Sequence, residues 1–353
     1  MTAALSLRHV TKRYAGGVAA LDDVTLDVED GELFCLLGQA AAGKTTLLRV
    51  VAGLDRPTSG AVYLDGQPAD GYPAGERPVS MMFQSQALFP HLSAADNVAY
   101  GLRRTRRSKE DAREMVEGLL DLVGLPGLGA RKPAALSEEQ RRRLAFARSL
   151  ARRPRTLLLD NPGAGLDDPA RDALRAVLHT VQRTTGITVV LATDDADEFA
   201  ILADRGAVLE AGAVRQVGTP AELREQPATR RVAEMVGRMN VWEGRVVGSD
   251  RGGTVVELDG LGRVRVAAPL PAGRPVAVAL APERIRVSVA APEGVEAMPA
   301  FVRAIAFAGR RRRVMLRAAD GAGMTAVDAP AGVREGDAVW VTWPDEALVV
   351  LRG

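Results

Sequence analysis

The residues best suited to chemistry lie in one octet, Gly38-Gln39-Ala40-Ala41-Ala42-Gly43-Lys44-Thr45. A glycine, four residues and then Gly-Lys-Thr form the phosphate-loop pattern, here with an apolar run before it and a helical run after it. Backbone N–H groups and the helix N-terminus would face the β- and γ-phosphates. Lys44 adds a positive charge, and Thr45 offers a hydroxyl to Mg²⁺. At average residue usage the pattern arises by chance in about one chain in a hundred of this length. A second feature completes it: Thr156-Leu157-Leu158-Leu159-Asp160 is an apolar strand ending in one carboxylate. Asp160 would hold the magnesium through its water shell. A strand ending in Asp says little alone. Paired with the phosphate loop, it predicts a site for ATP and Mg²⁺.

These residues need a scaffold that the sequence also indicates. Leu33–Leu37, Thr156–Leu159 and Thr188–Ala192 are short apolar runs of the kind found in buried parallel strands. Helical patterns run from Thr45 to Val51 and from Asp168 to Thr184. Strand–helix–strand alternation at this spacing implies a mostly parallel sheet. A helical stretch from about 93 to 153 interrupts it. Near Val241 the texture changes to short runs separated by Gly, Asp and Pro: Arg263–Val266, Pro275–Ala279, Ile285–Val289, Val314–Arg317 and Ala338–Thr342. The expected architecture is an α/β P-loop nucleotide-binding domain over residues 1–237 with that helical insertion. An all-β, OB-like domain over 241–353 follows.

Bulk properties exclude several classes. The chain has 353 residues, 47% apolar and 25% charged, enough for two domains with real cores. A net charge of +2 gives no reason to expect a nucleic-acid partner. The basic clusters Arg103, Arg104, Arg106, Arg107 with Lys109, and Arg310 to Arg313, read as solvated surface. No run of 18 apolar residues exists to span a membrane, and residues 1–12 lack a signal-peptide pattern. The single cysteine, Cys35, excludes an internal disulfide and sits in a buried-strand run. The expected location is cytoplasmic, with any membrane role exerted through partners.

Longer stretches carry a family resemblance across essentially the whole chain. Ala52–Gly60 (AGLDRPTSG), Phe83–Leu102 (FQSQALFPHLSAADNVAYGL), Gly218–Val246 and Ala279–Val287 (ALAPERIRV) resemble the ATPase subunits of ABC importers, most closely the polyamine, ferric-iron and phosphonate group. That resemblance implies ATP and Mg²⁺ as ligands. It places Gly38, Ala41, Ala42, Gly43, Lys44, Thr45 and Thr46 around the phosphates, with Thr45, Asp160 and Gln84 at the magnesium. Gln84 would also sense the γ-phosphate. Tyr14 would stack on adenine, with an ordinary packed aromatic as the alternative. The implied partners are permease subunits, docking near Gln84, and a second nucleotide-binding subunit, identical or not. The chain would sit on the inner face of the cell membrane through the permease.

Four positions depart from the family pattern. Ala41 replaces a glycine that permits close backbone approach to a ligand. The signature Leu-Ser-Gly-Gly-Gln reads Leu136-Ser137-Glu138-Glu139-Gln140. Ser137 and Gln140 form a capping box, and acids suit a first helical turn. Yet in the family dimer this loop meets the γ-phosphate held by the opposite subunit. Two unit charges about 6 Å apart interact by ~3 kcal/mol at an effective dielectric of ~20, which opposes closure. Asn161 stands where the family has its general-base glutamate, and an amide cannot accept a proton. Asp194 replaces the switch histidine and cannot donate when ionised. The expected function is a nucleotide-binding subunit of an importer with weak or absent hydrolysis and weakened nucleotide binding. The rival reading is an active ATPase energising import of a polyamine, iron or a phosphonate-like solute.

Overall fold

The computed structural model describes residues 3–102, 108–250, 253–294, 297–308 and 311–352. Arg103, Arg104, Arg106, Arg107 and Arg310 of the basic clusters lie outside the described residues. Contacts divide the chain into Met1–Pro220 and Ala221–Gly353.

In the first unit the elements run β1 (Ala3–Arg13), β2 (Ala19–Glu29), β3 (Leu33–Leu37), α1 (Lys44–Ala52), β4 (Ser59–Leu64), β5 (Gln67–Pro68) and β6 (Val79–Met82). Then come α2 (Ala94–Tyr100), α3 (Lys109–Leu122), α4 (Glu138–Leu150), β7 (Thr156–Asp160), α5 (Asp168–Thr185), β8 (Thr188–Thr193), α6 (Ala196–Leu202), β9 (Arg205–Glu210) and β10 (Ala213–Gly218). A six-stranded sheet has the order β10-β9-β3-β8-β7-β6. Every neighbouring pair in it is parallel except the β9–β10 hairpin. Strands β3, β7 and β8 are buried along their whole length. Covered on both faces, they have no polar alternation to keep, which is why they read as unbroken apolar runs.

A second sheet, antiparallel, with order β2-β1-β4-β5, was not foreshadowed by the apolar runs. Its strands are half-buried: in β2, Leu21, Val24, Leu26 and Val28 point inward between exposed polar residues. That inner face joins the parallel sheet and α1 in one core containing Leu5, Leu7, Leu26, Phe34, Leu47, Leu48, Leu158 and Val190. Each fully buried aliphatic side chain contributes roughly 2 kcal/mol. The packing fixes the N-terminus of α1 beyond the carboxyl ends of β3, β7 and β8, where α/β sheets bind ligands. Helices α2, α3 and α4 fill the stretch between β6 and β7 and pack on one another. Each begins at a serine cap, Ser93, Ser108 or Ser137.

Among the described residues the second unit contains α7 (Pro220–Glu225, starting at the junction), α8 (Arg230–Val236) and ten strands. The strands are β11 (Asn240–Asp250), β12 (Gly253–Leu258), β13 (Gly262–Val266), β14 (Pro275–Leu280), β15 (Arg286–Ser288), β16 (Met298–Ala308), β17 (Arg311–Ala318), β18 (Gly323–Val327), β19 (Ala338–Thr342) and β20 (Leu348–Leu351). They form two five-stranded antiparallel sheets, β13-β12-β11-β14-β20 and β15-β19-β16-β17-β18, the OB-like all-β class. One core holds both, with Trp242, Val256, Val278, Leu316 and Val341 inside. The run Ile285–Val289 is shorter as a strand because a 3₁₀ turn over Pro282–Arg284 ends at Ile285. Among the described residues, no helix is long and apolar enough to cross a membrane.

Candidate nucleotide site

The loop between β3 and α1 is shaped by backbone crowding. Gly43 has φ 104, and a Cβ there would overlap the carbonyl of Ala20. At Gly38 a Cβ would lie 2.8 Å from the Leu209 carbonyl oxygen and 2.9 Å from the Ala42 Cβ. Both glycines are therefore required by the fold as well as by any ligand. Ala41 has φ 62, a left-handed conformation that costs a residue with a Cβ about 1–2 kcal/mol. A glycine at this position would avoid that strain.

The Lys44 Nζ folds back over the loop and donates to the carbonyls of Gly38 at 2.6 Å and Gln39 at 2.9 Å. Burial lowers its pKa, while Asp194 and then Asp160 pull the other way. The Thr45 hydroxyl, exposed on the first turn of α1 beside Thr46, lies 2.9 and 3.0 Å from the two carboxylate oxygens of Asp160. Burial raises the Asp160 pKa, opposed by the Thr45 hydrogen bond and the Lys44 charge. A buried carboxylate facing one hydroxyl supplies the hard oxygen donors that Mg²⁺ prefers, and Mg²⁺ completes its shell with phosphates and water. The donor set thus fits Mg²⁺. Among the described residues no cluster of three His, Cys, Asp or Glu offers an all-protein metal cage.

Gln84 is exposed in the turn after β6 and lines a groove with Gln86, Glu138, Arg142 and Asp160. Tyr14 keeps 41% of its surface exposed. Its hydroxyl donates to Asp55 at 2.9 Å, and the Lys12 Nζ lies 5.0 Å from its ring centre. Ala42 is buried against the core.

Next to the phosphate loop, Asn161 follows Asp160 off the end of β7, with φ 47. Its backbone N–H donates to the Ala192 carbonyl at 2.8 Å, which ties it to β8. Its Nδ2 reaches Asp194 Oδ1 at 3.4 Å. Asp195, the next residue, does different work. It caps α6 by accepting from the N–H groups of Asp197 and Glu198, and it accepts from Arg175 Nη2 at 2.7 Å. Of two adjacent acids, one is built into the fold and the other faces solvent.

The signature segment forms the foreseen capping box: the Ser137 hydroxyl accepts from Gln140 N–H at 3.1 Å, and Gln140 Oε1 accepts from Ser137 N–H at 3.0 Å. The two acids are not bare charges, however. Glu138 pairs with Arg141 at 2.5 Å and Arg142 at 3.3 Å, and accepts from Gln86 Nε2. Glu139 pairs with Arg143. The Arg141 hydrogen bond holds the Glu138 carboxyl below the usual carboxylate range. A repulsion reckoned for unpaired acids therefore overstates the barrier to closure over a polyanion. Spacings of three and four residues along a helix already announced these pairs. The Gln86 contact had no sequence signal.

Comparison with known proteins fits this geometry. The family described as ABC transporter matches residues 21–164, and the TOBE domain matches residues 278–351. The spermidine/putrescine import ATP-binding protein PotA of Rubrobacter xylanophilus is 40% identical over 358 residues, covering 99% of this chain and 94% of its own. The Fe(3+) ions import ATP-binding protein FbpC of Brucella melitensis is 42% identical over 285 residues, 79% of this chain and 80% of its own. A solved dimeric structure of the ATP-binding cassette MJ0796 in a post-hydrolysis state, bound to ADP and Pi, is 30% identical. It covers 61% of this chain and 98% of that one, with a TM-score of 0.55.

Proposed function

This chain belongs to the ATP-binding subunits of ABC importers, and we propose that it binds Mg-ATP there but hydrolyses it slowly. The observation that carries this reading is the side chain beside Asp160: Asn161, an amide, whose Nδ2 is turned toward Asp194. Lys44, Thr45 and Asp160 supply what phosphate and Mg²⁺ binding needs, while position 161 offers no proton acceptor. Magnesium, when bound, neutralises developing charge on the phosphates. The chain's own residues position Mg-ATP, with Thr45 and Asp160 toward the metal and Gln84 across the groove. On this reading binding is weaker than in a chain with glycine at position 41, because the Ala41 methyl hinders the close backbone approach to phosphate that glycine permits.

The partners on this reading are permease subunits and a second nucleotide-binding subunit. The groove lined by Leu54, Met81, Phe83, Phe89, Tyr100 and Arg148 supports the first. The protein would then be held at the inner membrane face by the permease, and the solute would be chosen by other components.

A second reading, an active ATPase energising import of a polyamine, iron or a phosphonate-like solute, has support of its own. The comparisons weigh toward it, since relatives at 40% identity over nearly the whole chain are named import ATP-binding proteins. The Arg141–Arg143 pairing of both signature acids removes one obstacle to it. Titration with a fluorescent ATP analogue, with and without Mg²⁺, followed by turnover of the same sample, separates the readings. The first expects Mg²⁺-dependent binding, lost in Lys44→Ala, with turnover little above that variant. Absence of binding at millimolar nucleotide refutes both.

A further inference from the structure

Asp194 has no structural duty among the described residues. It is exposed, its one hydrogen-bond partner is Asn161 at 3.4 Å, and its neighbour Asp195 already caps α6 and pairs with Arg175. Its position is nonetheless specific. Asn161 follows the carboxylate that faces Thr45, and Asp194 ends the turn off the adjacent parallel strand β8, one residue beyond Thr193. Asp194 also lies near enough to Lys44 for its charge to oppose the lowering that burial imposes on that ammonium. A carboxylate is therefore present at the phosphate end of the site, on the strand next to the one where the family carries it.

We infer that Asp194 is a catalytic residue, the proton acceptor for the attacking water, with Asn161 orienting it. The inference rests on the reading of the chain as a slow Mg-ATPase. In the step, the water oxygen forms a bond to the γ-phosphorus, and the bond from that phosphorus to the β–γ bridging oxygen breaks. ADP leaves with the electron pair, and one water proton passes to an Asp194 carboxylate oxygen before release to solvent. An aspartate carboxylate can accept a proton from water as a glutamate carboxylate can. The amide at 161 donates to one carboxylate oxygen and leaves the other free for the water, the base-plus-orienter arrangement general to such sites. The same negative charge disfavours the γ-phosphate, so binding and base strength pull against each other at this residue.

Two readouts on the full chain test this. Single-turnover cleavage of radiolabelled ATP by excess protein resolves slow rates, and fluorescent-nucleotide titration reports binding apart from chemistry. The expected result for Asp194→Asn is cleavage reduced to the Lys44→Ala level, with nucleotide binding unchanged or tighter. Asp194→Glu, which keeps the carboxylate, should retain more cleavage than Asp194→Asn. A cleavage rate in Asp194→Asn equal to or above the unmodified rate overturns the inference. So does an unmodified chain no faster than Lys44→Ala, an outcome that leaves the reading as a nucleotide-binding subunit standing, without hydrolysis. Rapid turnover unaffected by Asp194→Asn removes both.

Discussion

The phosphate-loop segment and the pair proposed to act on the γ-phosphate, Asn161 and Asp194, lie at the ends of strands in one sheet, yet their side chains carry different loads. Gly38 and Gly43 cannot gain a Cβ without meeting Leu209 and Ala20 backbone, and the Lys44 Nζ is hydrogen-bonded into the loop it follows. Changing them disturbs folding as well as binding. Asn161 and Asp194 make only a 3.4 Å contact with each other, and Glu138 and Glu139 sit where a helix N-terminus welcomes acids and arginines one turn on answer them. These positions tolerate exchange because the fold asks little of them. In the same segments, Ser137, Gln140 and Asp195, which cap helices, keep the residues that the family pattern expects. Three of the four departures, at Glu138–Glu139, Asn161 and Asp194, fall where the fold asks little, and the fourth, Ala41, falls in the phosphate loop itself at a left-handed φ of 62.

The largest expected effect is on the phosphate-loop side of this comparison. Lys44→Ala should weaken Mg-ATP binding at least a hundredfold, about 2.7 kcal/mol, read by titration of a fluorescent analogue. Retained affinity would mean that the loop is not the phosphate site. Next comes the hydrolytic side. Restoring Asn161→Glu, Glu138→Gly, Glu139→Gly and Asp194→His together should raise phosphate release at least tenfold over each partial variant, about 1.4 kcal/mol of barrier. Groups acting on one γ-phosphate are grossly non-additive, so single changes should recover little. If Asn161→Glu alone matches the fourfold variant, the signature acids were never an obstacle.

A smaller effect is expected from Ala41→Gly, which relieves the left-handed φ of 62. Stability should rise by roughly 0.5 kcal/mol after the glycine's extra unfolded-state entropy is set against the strain, measured by denaturant unfolding. The smallest concerns Glu138. Its pKa is lowered in the folded chain, chiefly by the Arg141 hydrogen bond, so the ionised form contributes stability above the ordinary glutamate value of 4.5, lost as pH falls through the folded value. Glu138→Gln should therefore melt slightly lower at pH 6, and the gap should close below about pH 4. A gap independent of pH would assign the effect to packing.

Much of this was legible in the sequence, for reasons of locality. The phosphate loop, the strand ending in Asp160 and the capping box at Ser137 are each set by residues a few positions apart. The antiparallel sheet was not recognised, although β2 alternates cleanly over Val24–Val28: its partner β1 pairs with it through four register shifts, so no matching alternation runs the length of the pair. Nor was the union of Asn161 with Asp194, 33 residues apart and each just past the end of a different strand, or of Glu138 with Gln86, 52 residues apart. Pairings of that kind follow from strand order, which no short spacing encodes.

The claim that binding and hydrolysis have parted in this chain is tested most directly by phosphate release from the purified, unmodified protein at saturating Mg-ATP, with Lys44→Ala as the background. The account predicts release above that background but within about tenfold of it. Turnover on the order of 1 s⁻¹ or more, the range of ordinary enzymes, would contradict it.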